Sequence, residues 1–204
     1  MKVLIINGSP NKDGNTSIAL NEMIKIFNEN NVEIDLYDIH HKDIRGCMDC
    51  GKCWELKKCV FGDLDDLAKR FEEADGLVLG TPVYYASANG SLISLLDRLF
   101  HGYRINKSMK VGAAVCAARR GGITSTFDIL NKYFTISGMP IASGQYWNGI
   151  HGSKKDDAYE DLEGLQQMRT LARNMIFLMK SIELGKKEFG VPEREKGIAT
   201  NFIR

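Results

Sequence analysis

The stretch Val3–Ser17, VLIINGSPNKDGNTS, constrains the fold more than any other part of the chain. It opens on an unbroken apolar run, Val3-Leu4-Ile5-Ile6, which predicts a strand buried on both faces in a parallel sheet. Gly8, Pro10 and Asn11 then punctuate a polar turn. Thr16 or Ser17 is the expected N-cap of a helix whose apolar stripe is Leu20, Met23, Ile24 and Phe27. A strand, a polar loop and a helix N-terminus together form an anion site, because unpaired N–H groups and the positive end of the helix dipole converge there. The loop is neither a G-x-G-x-x-G fingerprint nor a P-loop ending in Gly-Lys-Ser/Thr. Its side-chain donors, Ser9, Asn11, Asn15, Thr16 and Ser17, are neutral and suit a phosphate monoester held without a metal. The plainer alternative is a strand–turn–helix corner in which Thr16 and Ser17 only cap.

The remaining chain repeats the alternation of strand and helix. Strands are predicted over Val32–Leu36, Gly76–Gly80, Val111–Ala117 and Pro140–Gly144. Helices are predicted from Asp63 or Asp65 to Ala74, Ser91 to His101, Thr124 to Ile136 and Asp161 to Leu184. Pro82 is expected to end the third strand, and Asn89 and Ser91 to act as cap residues. This alternation predicts a parallel sheet with helices on both faces. With 204 residues, 44% of them hydrophobic, the chain can bury one good core. The expected division is a domain over 1–185, with a cysteine-rich insertion at 46–60, and a C-terminal tail over 186–204. Phe202 and Ile203 in that tail are apolar enough to dock on a partner subunit, or they belong to a frayed end. A net charge of +1 gives no reason to expect nucleic acid or an anionic membrane as partner. No run approaches membrane-spanning length, and Met1-Lys2 leads straight into the first strand, so a cytoplasmic protein is expected. His40 and His41 are expected to be solvated.

Five cysteines in such a compartment are not expected to form a disulfide framework. Cys47, Cys50, Cys53 and Cys59 follow C-x2-C-x2-C-x5-C. Three thiolates at that spacing can wrap one face of an iron–sulfur cubane, and a nearby fourth completes it. Zinc could use the same four, although zinc sites usually come as two separated pairs. A metal-free redox pair, or cysteines that no longer carry a function, are the other readings. Trp54 and Phe61 could shield a cluster or belong to the core. Cys116, inside an apolar strand, is expected to be a small buried residue.

GSPNKDGNTS resembles the phosphate loop of flavodoxin-like flavoproteins, in particular the NADPH-dependent FMN reductase and iron–sulfur flavoprotein group. The cysteine motif resembles the [4Fe–4S] motif of the iron–sulfur flavoproteins. The resemblance runs from Lys2 to about Lys180. It implies an α/β flavodoxin-like three-layer sandwich, with five parallel strands in the order 2-1-3-4-5 and FMN at the point where the order reverses. That fold is itself the standard example of this rule. It implies that TPVYY lines the flavin ring through Pro82, Val83, Tyr84 and Tyr85, and that the loop Arg119-Arg120-Gly121-Gly122 meets its pyrimidine end. One arginine is expected to point in and the other out; the alternative leaves both solvated. The flavin carries the chemistry, so no protein nucleophile, acid or base is expected. The implied activity is an FMN-dependent oxidoreductase with a [4Fe–4S] cluster at Cys47, Cys50, Cys53 and Cys59, a homodimer, fed by ferredoxin or NAD(P)H. A cluster-free NAD(P)H-dependent FMN or quinone reductase, a flavodoxin-like electron carrier, and a zinc-stabilised binding protein with an empty flavin fold are the alternatives.

Overall fold

The computed structural model describes residues 1–200 and 202. Its sheet is built on three central strands, β1 (Lys2–Asn7), β3 (Gly76–Tyr84) and β5 (Val111–Ala118), flanked by β2 (Glu33–Asp38) and a short β6 (Gly149–His151). The order is β2-β1-β3-β5-β6, all parallel, and a two-residue strand β4 (Ser87–Ala88) folds back antiparallel on the end of β3. With β4 set aside, this is the 2-1-3-4-5 order expected from the resemblance. Register is fixed by alternation. Val3 and Ile5 face one core with Val78 and Val115, while Leu4 and Ile6 face the other with Leu77 and Leu79. A one-residue slip would move these sets to the wrong faces.

Helices α1 (Asn15–Glu29) and α6 (Leu162–Phe189) cover the first face. Helices α3 (Asp65–Glu73), α4 (Gly90–Gly102) and α5 (Ile123–Ile136) cover the second. A one-turn helix α2 (Cys53–Leu56) lies within the cysteine segment. No helix among the described residues is long and apolar enough to cross a membrane. The final helix outruns its expected end and continues through Phe189. Beyond it, the described residues carry no helix or strand and are exposed, Phe202 among them; Ile203 lies outside the described residues.

Several local expectations are corrected. The fifth strand is Gly149–His151, whereas Pro140–Gly144 contributes only a single bridge between Ile141 and Gly112. The edge strand is thus interrupted, and residues 143–148 loop out of it. Pro82 does not end β3, for it pairs with Ala117. β1 stops pairing at Gly80, so from there β3 has a parallel neighbour only on the β5 side, and a missing N–H leaves no gap in the other ladder. Neither Thr16 nor Ser17 caps α1: the N-cap is Gly14, without a side-chain bond. Asp63 and Asp65 likewise do not cap α3, whose N-cap is Leu64. Asn89 does cap α4, its side chain accepting from the Ser91 N–H at 3.0 Å.

Candidate functional site

The loops after β1, β3 and β5 meet above the carboxyl ends of the central strands. Asn89 is the pin between the first two. Its side-chain amide donates to the Gly8 carbonyl at 2.8 Å, and its own N–H donates to Thr81 Oγ1 at 3.0 Å. Gly8 in turn donates to the Gly80 carbonyl at 2.7 Å. The approach is so close that a Cβ on Gly8 would stand 2.6 Å from Leu92 Cδ2 and 2.8 Å from the Gly80 oxygen. Glycine is required here by space.

Within the first loop most side-chain polar atoms are engaged internally. Ser9 Oγ donates to the Asn11 carbonyl and accepts from the Asn11 N–H. Ser17 Oγ donates to the Lys12 carbonyl at 2.5 Å and accepts from Asn7. Asn15 braces a distant loop, donating to the Lys154 carbonyl and accepting from the Ala158 N–H. Thr16 is buried and Asn11 is exposed. The backbone N–H groups of residues 12–16 make no hydrogen bond within the described residues. They sit at the N-terminus of α1, beside a recess of about 470 Å³ that Lys12, Lys154, Lys155 and His40 help to line. Free N–H groups, a helix N-terminus and three lysines form a donor set for a phosphate. The sequence reading missed His40, Lys154 and Lys155. Nothing in their spacing signals them, since 139 residues separate Asn15 from Lys154.

The loop after β3 is a two-residue hairpin, with Val83 opposite Ala88 and Tyr84 opposite Ser87. Its central residues, Tyr85 and Ala86, both take positive φ, 50° and 57°. Hairpins of this length need positive φ at their centre and ordinarily use Asn-Gly. Here two side-chain-bearing residues hold it. Ser125 Oγ donates to the Ala86 carbonyl at 2.8 Å and fastens the turn to the start of α5. Pro82 and Val83 are half-buried, Tyr84 is exposed and Tyr85 is fully so, so neither tyrosine packs in the core. Left-handed backbone costs a non-glycine residue about 1–2 kcal/mol and glycine loses about 0.5–1 kcal/mol more on folding. Ala86→Gly is therefore expected to stabilise the protein by roughly 0.5–1 kcal/mol, read as a rise of a few degrees in Tm.

The third loop packs against that hairpin. Gly122 has φ 96°, and a Cβ there would stand 2.8 Å from Val83 Cγ1. Gly121 faces open space. Arg119 and Arg120 are both exposed, and Arg120 helps to line a recess of about 320 Å³ together with Tyr146, Trp147, His151 and Asp161. The last four come from the interrupted edge strand and the start of α6. The adjacent aromatic pair Tyr146-Trp147, whose rings lie 4.7 Å apart and tilted at 55°, was the signal available for them in the sequence.

Helix α4 leads from this end of the sheet to the cysteines. Asn89 to Arg98 spans about 14 Å at the usual helical rise. All four cysteines of the motif line one cavity of about 40 Å³ there, with Arg98 and His101 also in its wall. Cys47 and Cys50 are exposed, Cys53 and Cys59 half-buried. The Asp49 N–H donates to Cys47 Sγ at 3.4 Å and Arg98 Nη1 donates to Cys59 Sγ at 3.7 Å. Among the described residues no three His, Cys, Asp or Glu side chains converge tightly enough to hold a single metal ion. Trp54 is exposed and its ring meets His101 edge-on at 5.6 Å. Cys116 is fully buried in β5, and burial pushes its thiol up to about 12.

Arg98 is the buried cation of this region. Nη1 and Nη2 grip Asp63 at 2.6 Å each, and these bonds hold the Asp63 carboxyl below the usual range. A depressed carboxylate contributes stability above its unfolded pKa, and that stability is lost as pH falls through the depressed value. Urea midpoints of the wild type are expected to fall as pH drops below about 4, and Asp63→Asn to flatten that fall.

The NADPH-dependent FMN reductase family matches residues 1–153. The chain belongs to that family. It is accordingly an FMN-dependent oxidoreductase with the flavodoxin-like fold. An iron–sulfur flavoprotein of Methanocaldococcus jannaschii is 30% identical over 192 residues, covering 90% of this chain and all of that protein. One from Methanosarcina thermophila is 29% identical over 189 residues, 90% of this chain and 97% of its own length. Among solved structures, the NAD(P)H:quinone oxidoreductase from Methanothermobacter marburgensis superposes with a TM-score of 0.68 at 16% identity. It covers 86% of this chain and 96% of its own, and shows the shared fold.

Proposed function

We propose that this FMN reductase family member is an oxidoreductase of the iron–sulfur flavoprotein kind, with a [4Fe–4S] cluster held by Cys47, Cys50, Cys53 and Cys59. The observation that carries the reading is that all four cysteines line one cavity at the end of the helix whose N-cap pins the first loop. Four thiolates around one cavity, with a buried guanidinium in its wall, suit a negatively charged cluster. The names of the similar archaeal proteins support the same reading.

When bound, FMN supplies one- and two-electron chemistry and the cluster one-electron chemistry. The chain's own residues bind and orient them. The free N–H groups of residues 12–16, with Lys12 and Lys154, hold the FMN phosphate in a loop shaped by Ser9, Asn11, Asn15, Thr16 and Ser17. Pro82, Val83, Tyr84, Tyr85, Gly121 and Gly122 would line the ring, with the exposed tyrosines flanking its face or the entry for the electron donor. Of the two exposed arginines, Arg119 and Arg120, the one that lines the recess, Arg120, puts positive charge beside the ring and favours its negative, reduced form. The protein works as a cytoplasmic homodimer or higher homo-oligomer, with the segment after α6 docking on the partner subunit. With the cluster present the electron donor would be a ferredoxin-type one-electron carrier; without it the donor would be NAD(P)H.

The test is the anaerobic bleaching of the flavin band in reconstituted protein. A reduced one-electron carrier is expected to bleach it faster than NADPH does, and serine at all four motif cysteines to remove that advantage. Equal bleaching by NADPH in the wild type and the serine variant, with no advantage for the carrier, would establish the cluster-free FMN or quinone reductase instead.

A further inference from the structure

Arg98 has more hydrogen-bonding capacity than its one carboxylate partner uses. Its side chain is 1% exposed, yet it sits on a helix face otherwise built from Leu92, Leu95, Leu96 and Leu99. Asp63 takes Nη1 and Nη2 in a bidentate grip. Nη1 is shared with Cys59 Sγ, and Nε is buried with no partner. Burying a guanidinium is costly, and a donor left unmatched inside a protein calls for an explanation. The carboxylate is a poor counterweight to the field inside the cavity. Its side chain is 41% exposed, so water screens it, while the guanidinium is dry and lines the cavity wall.

Two further guanidiniums stand against rings of the cavity wall, and one acid of the motif opposes them. Arg45 and Arg98 both lie over the Phe61 ring, at 5.0 and 5.2 Å. Arg104 lies over Trp54 at 5.0 Å, and His101 is in the cavity wall. The nearby acid Asp65 is bound to Lys58 at 2.5 Å and to the Tyr103 hydroxyl at 2.9 Å. A second acid, Asp49, lines the cavity from the motif itself.

We propose that Arg98 is a positioning residue that sets the reduction potential of the cluster through Cys59, with Asp63 limiting the shift. The proposal rests on the cluster reading above. One electron enters the cluster on reduction, no bond to a thiolate breaks, and the cavity gains one negative charge. A fixed cation donating to one ligand sulfur stabilises that added charge and raises the potential. If the Arg98–Asp63 pair only ties residues 57–64 to α4, its loss lowers stability or cluster content and leaves the potential alone.

The experiment is a dithionite titration with redox mediators, followed by electron paramagnetic resonance, on reconstituted full-length wild type, R98Q, R98K and D63N. Iron is counted in each sample. R98Q is expected to lower the reduced-to-oxidised ratio at a fixed ambient potential about tenfold, equivalent to ~59 mV for one electron. D63N is expected to move the ratio the opposite way, because it removes the counter-charge and keeps the cation. R98K, which keeps the charge, is expected to lie nearer wild type than R98Q. If R98Q holds no iron, D63N decides: a raised ratio supports the proposal and an unchanged one overturns it. Shifts in the same direction from R98Q and D63N, or loss of iron from both, overturn it as well. Wild type that holds no iron overturns the cluster reading and this inference together. Wild type with its iron, and variants without a shift, overturn only the inference.

Discussion

Gly8→Val is expected to weaken FMN binding by about a hundredfold or more and to destabilise the fold. A Cβ at this position would already press on Leu92 and on the Gly80 oxygen, and a branched side chain adds two more carbons to that space. Overpacking of this kind costs roughly 1–3 kcal/mol. The backbone at Gly8 has nowhere to retreat, because Asn89 grips its carbonyl and Gly80 its N–H. Strain at Gly8 is therefore passed forward to residues 12–16, where the free N–H groups lie. Charge-assisted hydrogen bonds contribute about 1.5–3 kcal/mol each. Misaligning two of them weakens binding by about a hundredfold or more. Fluorescence titration of FMN measures the first effect and urea unfolding the second. Gly90→Ala is the control, since nothing stands within 4 Å of a Cβ there. An FMN affinity near that of wild type in Gly8→Val would show that the first loop does not hold the phosphate.

If the motif holds the proposed cluster, Cys59→Ser and Cys53→Ser are each expected to remove most of the iron while FMN stays bound. The four motif cysteines share one cavity, and a cluster that loses a thiolate ligand loses both its bond and its charge match. The flavin loops stand about 14 Å away along α4, so they keep their geometry. Cys116→Ala is the contrast: its thiol is buried in β5 away from the cavity, so iron content is unchanged. Iron counts per subunit, with the FMN count measured beside them, separate these outcomes. Unchanged iron in Cys59→Ser and Cys53→Ser would make the motif something other than a cluster site.

The central fold was legible because its strands are apolar runs of the length that a doubly covered sheet demands. Val3–Ile6, Gly76–Gly80 and Val111–Ala117 each fall inside an observed strand. The β2 edge was legible as Val32–Leu36, but the β6 edge was not. Gly149-Ile150-His151 is too short to carry a period, and Ile141 supplies one bridge instead of a strand. Cap prediction failed at Ser17 because its hydroxyl is taken by Lys12 and Asn7, partners that a composition rule does not see. The Tyr85-Ala86 turn carries none of the Asn-Gly chemistry that announces such a hairpin, so only the structure reveals its left-handed backbone. Arg98 was not singled out in the sequence, because its neighbours Asp63 and Cys59 are 35 and 39 residues away. The cysteine motif, by contrast, is local, and its spacing alone was enough to bring its members to one cavity.

The most direct measurement is the absorption spectrum of protein purified without oxygen, with iron, zinc and FMN counted per subunit. The account predicts one FMN and about four irons, as a single [4Fe–4S] cluster requires. Flavin with zinc or with no metal, after reconstitution with iron and sulfide, would contradict the cluster, and a protein that binds no FMN would contradict the whole account.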